Sequence, residues 1–217
     1  MNFFAHAYLA ARENQDPRFV LGSMIPDFVG MIGARLRVVN DPVIAAGIAH
    51  HHEVDAAFHG APLFLRLMGE AQDYLEARGL ATGSSMAVGH VGVELILDGW
   101  LATHGHRHDT FRGALNTTGA AALEWLSREH APRWSVLRDR LVDGTLPHAY
   151  LDAEFVASRL ELILSSRPRL ALRSGDASTV AAWATEARDQ IHAQASALLR
   201  EVLARLHASR SAAHTRR

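Results

Sequence analysis

Apolar side chains recur at intervals of three and four along nearly the whole of this 217-residue chain. That spacing lines one face of an α-helix, whereas a half-buried strand alternates, so the pattern restricts the chain to helical folds. Phe3, Phe4, Ala7, Tyr8 and Ala11 form one stripe. Phe19, Val20, Met24, Phe28 and Met31 form a second, in a segment that Pro26 is expected to kink. Asp41-Pro42 opens a helix reaching about Phe58, with Asp as the cap and Pro at the first helical position. Further helices are expected from Pro62 to about Gly79, from the Thr82-Gly83-Ser84-Ser85 loop to about Thr103, around Phe111 to His130, and from Pro132 to Val142. The polar run Thr103 to Asp109 reads as a loop, and Gly144 to Pro147 as a turn. Asp152 caps a helix over residues 153–165, Pro168 ends it, and a last helix covers about Ser178 to His207 before a disordered tail, 208–217. No segment reads as a convincing strand, and neither a repeat nor a dividing linker is visible. The expected fold is all-α, one compact multi-helix bundle over residues 1–207.

With 48% apolar residues the chain can bury a substantial core. It contains no cysteine, which removes disulfides and thiolate metal sites and leaves imidazole and carboxylate as the available ligands. A net charge of −1 supplies no field toward nucleic acid or an anionic membrane, so neither is expected as a partner. All 22 basic side chains are arginine, a residue whose planar fork suits phosphate. The opening MNFFAHAYLAAR lacks a charged leader segment, and no apolar run approaches the roughly 20 residues that span a bilayer. A soluble, cytoplasmic protein is the expectation.

Two helical stretches carry the chemistry. His51-x3-Asp55-x3-His59 and His90-x3-Glu94-x3-Asp98 each set three metal-capable side chains one turn apart on a single stripe. Two residues four apart can share an ion, but positions eight apart are separated by about 12 Å along the axis, so each triplet must be split. Either two ions sit side by side, or the third residue orients an imidazole through its free nitrogen. The preferred grouping sets His51 and Asp55 opposite His90, Glu94 and Asp98. Such nitrogen and oxygen ligation suits Mn²⁺, Fe²⁺ or Zn²⁺, and Mg²⁺ where carboxylates dominate.

Glu94 and Asp98 stand in the otherwise apolar VGVELILDGWL, where a buried carboxylate needs a cation or a hydrogen-bond donor. Two more residues join the candidates on the same ground: His6, in the apolar N-terminal helix, and Asp27, within GSMIPDFVG. His50, His52, His104, His106, His108, His130, His148, His192, His207 and His214 read instead as surface or hydrogen-bonded core residues.

In order along the chain, MNFFAHAYLA, LGSMIPDFVGM, AGIAHHHEVD, ELILDGWLA and SSRPRLAL resemble the acyl carrier protein phosphodiesterase family. The resemblance implies an all-helical fold related to the HD-domain metal phosphohydrolases. It also implies removal of 4′-phosphopantetheine from holo-acyl carrier protein with a divalent ion, manganese above the others. On this pattern His6, Asp27, His51 and Asp55 occupy the family's site positions, and Glu94 and Asp98 its later pair of acids. The chain departs from the pattern in having Phe58-His59 where Thr-Asp is common and Asp98-Gly99 where Asp-His is common. Those changes suggest a rearranged pocket, with generic phosphoester hydrolysis expected and weak action on holo-acyl carrier protein.

The mechanism so implied is metal-assisted phosphodiester hydrolysis, with Asp55, Glu94 and Asp98 as the catalytic carboxylates. Arg167 and Arg169 are candidates for phosphate contact, with a cation at a helix C-terminus as the competing reading. A zinc-dependent phospholipase C-like hydrolase and a non-catalytic helical metal-binding module also fit the ligand pattern.

Overall fold

The computed structural model describes residues 1–104, 108–118, 122–143 and 146–214. Among the described residues the fold is all-α, as the periodicity requires. Nine α-helices run through the described residues in the order α1 (Phe3–Glu13), α2 (Pro17–Met31), α3 (Pro42–His59), α4 (Pro62–Glu76), α5 (Thr82–His104), α6 (His108–Leu115), α7 (His130–Asp143), α8 (Ala153–Ser165) and α9 (Asp176–His214). The start signals act as their chemistry dictates. Asp41 Oδ1 accepts the amide hydrogens of Val43 and Ile44 at 2.7 and 3.2 Å, and Asp152 Oδ1 those of Glu154 and Phe155 at 2.8 and 3.2 Å. Asp16 caps α2 by accepting from Arg18 N at 2.9 Å, and the helix continues through Pro26.

Three expectations are corrected. Two short strands exist, β1 (Leu36–Val39) and β2 (Leu123–Trp125), paired antiparallel in the register Leu36 with Trp125 and Val39 with Leu123. The helix expected over 111–130 is therefore two elements, since α6 ends at Leu115 before the breaker run Asn116-Thr117-Thr118 and β2 follows. In place of a disordered tail from residue 208, α9 extends to His214 through the helix-favouring Ala208 and Arg210. His104 lies in α5 and His108 and Asp109 in α6, while His106 and the first half of the expected 144–147 turn fall outside the described residues.

The contacts gather into two compact units, Met1–Asp55 with Leu101–Pro147, and Ala56–Trp100 with the residues from His148 on. In the first, α1 and α6 pack on α2. The Phe3 ring lies 5.6 Å from that of Phe28 and 5.9 Å from that of Phe111, and Phe28 lies 5.4 Å from Trp134. The β1–β2 pair adds Trp125, 6.3 Å from Trp134. Helices α2 and α3 meet through glycines. A Cβ on Gly22 would overlap the Ile44 carbonyl oxygen, and one on Gly47 would overlap that of Phe19 and stand 2.9 Å from Gly22 Cα. In the second unit α9 packs along α4 and α8, burying Leu67, Leu75, Leu160, Leu164, Val180, Trp183, Ile191, Leu198 and Val202. No helix among the described residues is long and apolar enough to cross a membrane.

Candidate metal centre

The glycine crossing sets α3 close to α2, and the first cluster hangs on that approach. One turn beyond Gly47, His51 Nδ1 donates to the Ser23 carbonyl oxygen of α2 at 2.8 Å. A carbonyl only accepts, so Nδ1 carries the proton and Nε2 keeps the lone pair. That lone pair faces Asp55 Oδ2 at 3.2 Å. Two acceptors so placed repel unless a proton or a cation joins them. Without a metal a proton serves: burial opposes charging His51, but the Asp55 hydrogen bond, with Asp27 and Asp55 nearby, carries its pKa above the ordinary value.

His6 comes from α1. Its Nε2 lies 3.1 Å from both the Met1 carbonyl oxygen and Asp55 Oδ1, again acceptors, so Nε2 holds the hydrogen. Nδ1 is left with a buried lone pair and no hydrogen-bond partner among the described residues. Burial, the largest influence, lowers the His6 pKa to about 3 and keeps the ring neutral near pH 7. The His6 and His51 rings stack with centroids 3.8 Å apart. Asp27, from α2, completes a group in which one ligand atom each of His6, Asp27 and His51 lies within 4.8 Å of the others.

Asp55 binds both imidazoles and also accepts from the Met1 amino group at 2.9 Å. Burial would raise its carboxyl, but the hydrogen bonds from His51 and His6 hold it well below the usual carboxylate range. His6 is fully enclosed and the His51 side chain is 4% exposed, whereas Asp55 is 28% exposed. The two carboxylates, Asp55 and Asp27, are the partly exposed members of the cluster.

A second group forms in the other unit. His59, at the end of α3, and His90, on α5, both place Nε2 3.2 Å from the same oxygen, Glu94 Oε1. Burial favours the neutral acid, and these imidazole hydrogen bonds are among the influences that bring Glu94 below its ordinary pKa. Within the first unit His51 and Asp55 gather with His6 and Asp27, and within the second Glu94 gathers with His59 and His90. Asp98 is fully buried on α5. Arg167 and Arg169 are exposed in the turn after α8.

Among the other histidines, His50 is buried edge-on to Phe19, His108 lies 2.7 Å from the Ala102 carbonyl oxygen, and His52, His104, His148 and His207 are exposed. Ser23, Gly22 and Gly47 were not legible as site residues. The repeated approach of small residues in LGS and AAGIA was the available signal.

The family model for acyl carrier protein phosphodiesterase matches residues 1–202. This chain belongs to that family. No curated protein and no solved structure matches it. Membership supports a phosphodiesterase hydrolase, and the geometry shows what Phe58 and Gly99 do where this chain departs from the acyl carrier protein phosphodiesterase pattern. Phe58 is wholly buried with its ring 4.3 Å from Phe64, so position 58 is part of the core. At position 99, a Cβ would stand 2.8 Å from both the carbonyl carbon and the oxygen of Tyr150. The imidazole common there has no room.

Proposed function

We propose that this acyl carrier protein phosphodiesterase family member hydrolyses its phosphodiester with a divalent ion held by His6, Asp27, His51 and Asp55. The substrate in this reading is the phosphodiester joining 4′-phosphopantetheine to acyl carrier protein. The observation that carries the proposal is the buried, unpartnered lone pair of His6 Nδ1 beside a His51 lone pair that faces a carboxylate. Two nitrogens and two carboxylates suit Mn²⁺, with Fe²⁺, Zn²⁺ and Mg²⁺ as alternatives.

When bound, a divalent ion lowers the pKa of water and polarises a phosphoryl oxygen. The protein's part is orientation. Ser23 fixes the tautomer and ring plane of His51, the Met1 carbonyl and Asp55 do the same for His6, and an ionised Asp55 accepts from His6 while facing the His51 lone pair. Burial of His6 and His51 keeps water from the inner side of both imidazoles. The partly exposed carboxylates of Asp55 and Asp27 are the members through which a phosphate in solution reaches the cluster.

The test is incubation with holo-acyl carrier protein and Mn²⁺, followed by mass spectrometry of the carrier. Loss of the phosphopantetheine mass, abolished by chelator and by Asp55→Asn, is the expected result. Hydrolysis of a chromogenic diester with the carrier untouched would move the substrate assignment, and no Mn²⁺-dependent rise in melting temperature would remove the metal.

A further inference from the structure

We infer that His59, His90 and Glu94 form a second metal site, selective for a transition-metal ion such as Zn²⁺. One donor atom of each lies within 4.8 Å of the others, and the two imidazole nitrogens converge on a single oxygen. The separations suit a coordination set as well as a hydrogen-bonded cluster. Charge-assisted N–H···O⁻ bonds shorten to about 2.7–2.9 Å. Two ligands each about 2.1 Å from a tetrahedral zinc stand about 3.4 Å apart. Both Nε2···Oε1 separations are 3.2 Å, within the hydrogen-bond range and close to the edge of a coordination tetrahedron, so the three donor atoms already stand where an ion can replace the shared protons.

The surroundings hold this arrangement in place. The Phe64 ring meets His90 edge-on at 5.4 Å and His59 at 5.6 Å, while Phe58 meets His59 edge-on at 5.5 Å. Phe58 is wholly buried and Phe64 nearly so, so the two rings make a fixed apolar floor under both imidazoles. Above it the imidazoles are 37% and 39% exposed and the Glu94 side chain 12%, which gives an ion a route in from solvent while its anionic ligand stays largely dry. Two imidazoles and one carboxylate are the ligand set of open zinc sites, three protein groups with a fourth position left over. Imidazole-rich ligation favours Zn²⁺ over Mn²⁺ and Mg²⁺. His59 stands where the family pattern has a different residue, so this chain's departure supplies a ligand.

The experiment is calorimetric titration of the metal-free, full-length protein with Zn²⁺ near neutral pH, repeated with Co²⁺ to read coordination from the visible absorption. Wild-type protein is expected to take up two equivalents. His59→Ala and His90→Gln should each remove one, weakening that step by about 100-fold or more, while His51→Ala should leave it intact. His90→Gln keeps a hydrogen-bond donor for Glu94 but supplies a poor ligand, so a purely hydrogen-bonding role would leave binding unchanged in that variant. A single equivalent that disappears in His90→Gln and survives in His51→Ala supports the inference and defeats the ligand set proposed for hydrolysis. A single equivalent that survives in His90→Gln, or no uptake at all, overturns the inference.

Discussion

The glycine crossing of α2 and α3 makes Gly47→Ala the most informative substitution in the first unit. In an ordinary helix interior the change stabilises by up to about 1 kcal/mol, because alanine has the higher helix propensity. Here the new Cβ would overlap the Phe19 carbonyl oxygen and stand 2.9 Å from Gly22 Cα and 3.0 Å from Ser23 N. All three are backbone atoms, so relief requires one helix to move. Overpacking of this kind costs about 1–3 kcal/mol, and its upper half applies where no side chain can swing aside. The net expectation is a loss of about 1–2 kcal/mol, or a melting temperature lower by roughly 2–8 °C for a chain of this size. The displaced residue, Ser23, also supplies the carbonyl that anchors His51 at 2.8 Å, so Mn²⁺ affinity should fall by about 10- to 100-fold. Thermal unfolding with and without Mn²⁺ reads both effects. Gly69→Ala on α4, where a Cβ meets nothing within 4 Å, is the control and should gain stability. A Gly47→Ala protein as stable as Gly69→Ala, with unchanged Mn²⁺ affinity, refutes the reasoning.

Asp55→Asn should abolish hydrolysis and lower Mn²⁺ affinity while far-ultraviolet circular dichroism stays unchanged, because the apolar stripes of α1 to α3 are untouched. Saturating Mn²⁺ at about 100 times its dissociation constant should stabilise the native protein by about 2.7 kcal/mol, reversed by chelator, and a flat melting temperature counts against the ion. The Asp16 pKa is lowered, first by the Arg18 side-chain hydrogen bond and then by the Arg18 amide. Its stabilising contribution is therefore present above the unfolded carboxyl value and fades as pH falls through the lower folded one. Asp16→Ala should cost about 1 kcal/mol near pH 7 and less once both states are protonated, as followed by denaturant unfolding across acidic pH.

Helix starts were legible because caps and first-turn prolines act locally: Asp41, Asp152 and Pro62 each mark a boundary within a residue or two. The β1–β2 pair was not, since strands of four and three residues leave too little alternation to count, and their partners are separated by more than 80 positions. The donor inventory of the site was legible, because His6, Asp27, Glu94 and Asp98 stood out as polar groups in apolar segments. Their grouping was not. Helical spacing says which residues share a stripe and nothing of which helix faces it, so the approach of α1 and α2 to His51 could not be read from it. The deciding contact, His51 to Ser23, goes to a backbone carbonyl and leaves no trace in side-chain chemistry.

Gly99 ties two stretches of chain together across inheritance. The backbone of the short 3-10 turn His148–Leu151 lies so close to it that a Cβ would stand 2.8 Å from Tyr150 carbonyl atoms and 3.1 Å from Leu151 N. A relative bearing a side chain after the buried aspartate must carry its own turn farther away, so position 99 and the turn should covary as one module. Grafting the common Asp-His pair into this chain therefore requires the donor's turn as well. Transplanting the histidine alone would displace Tyr150, itself 2% exposed, and restore the motif in sequence without restoring it in space.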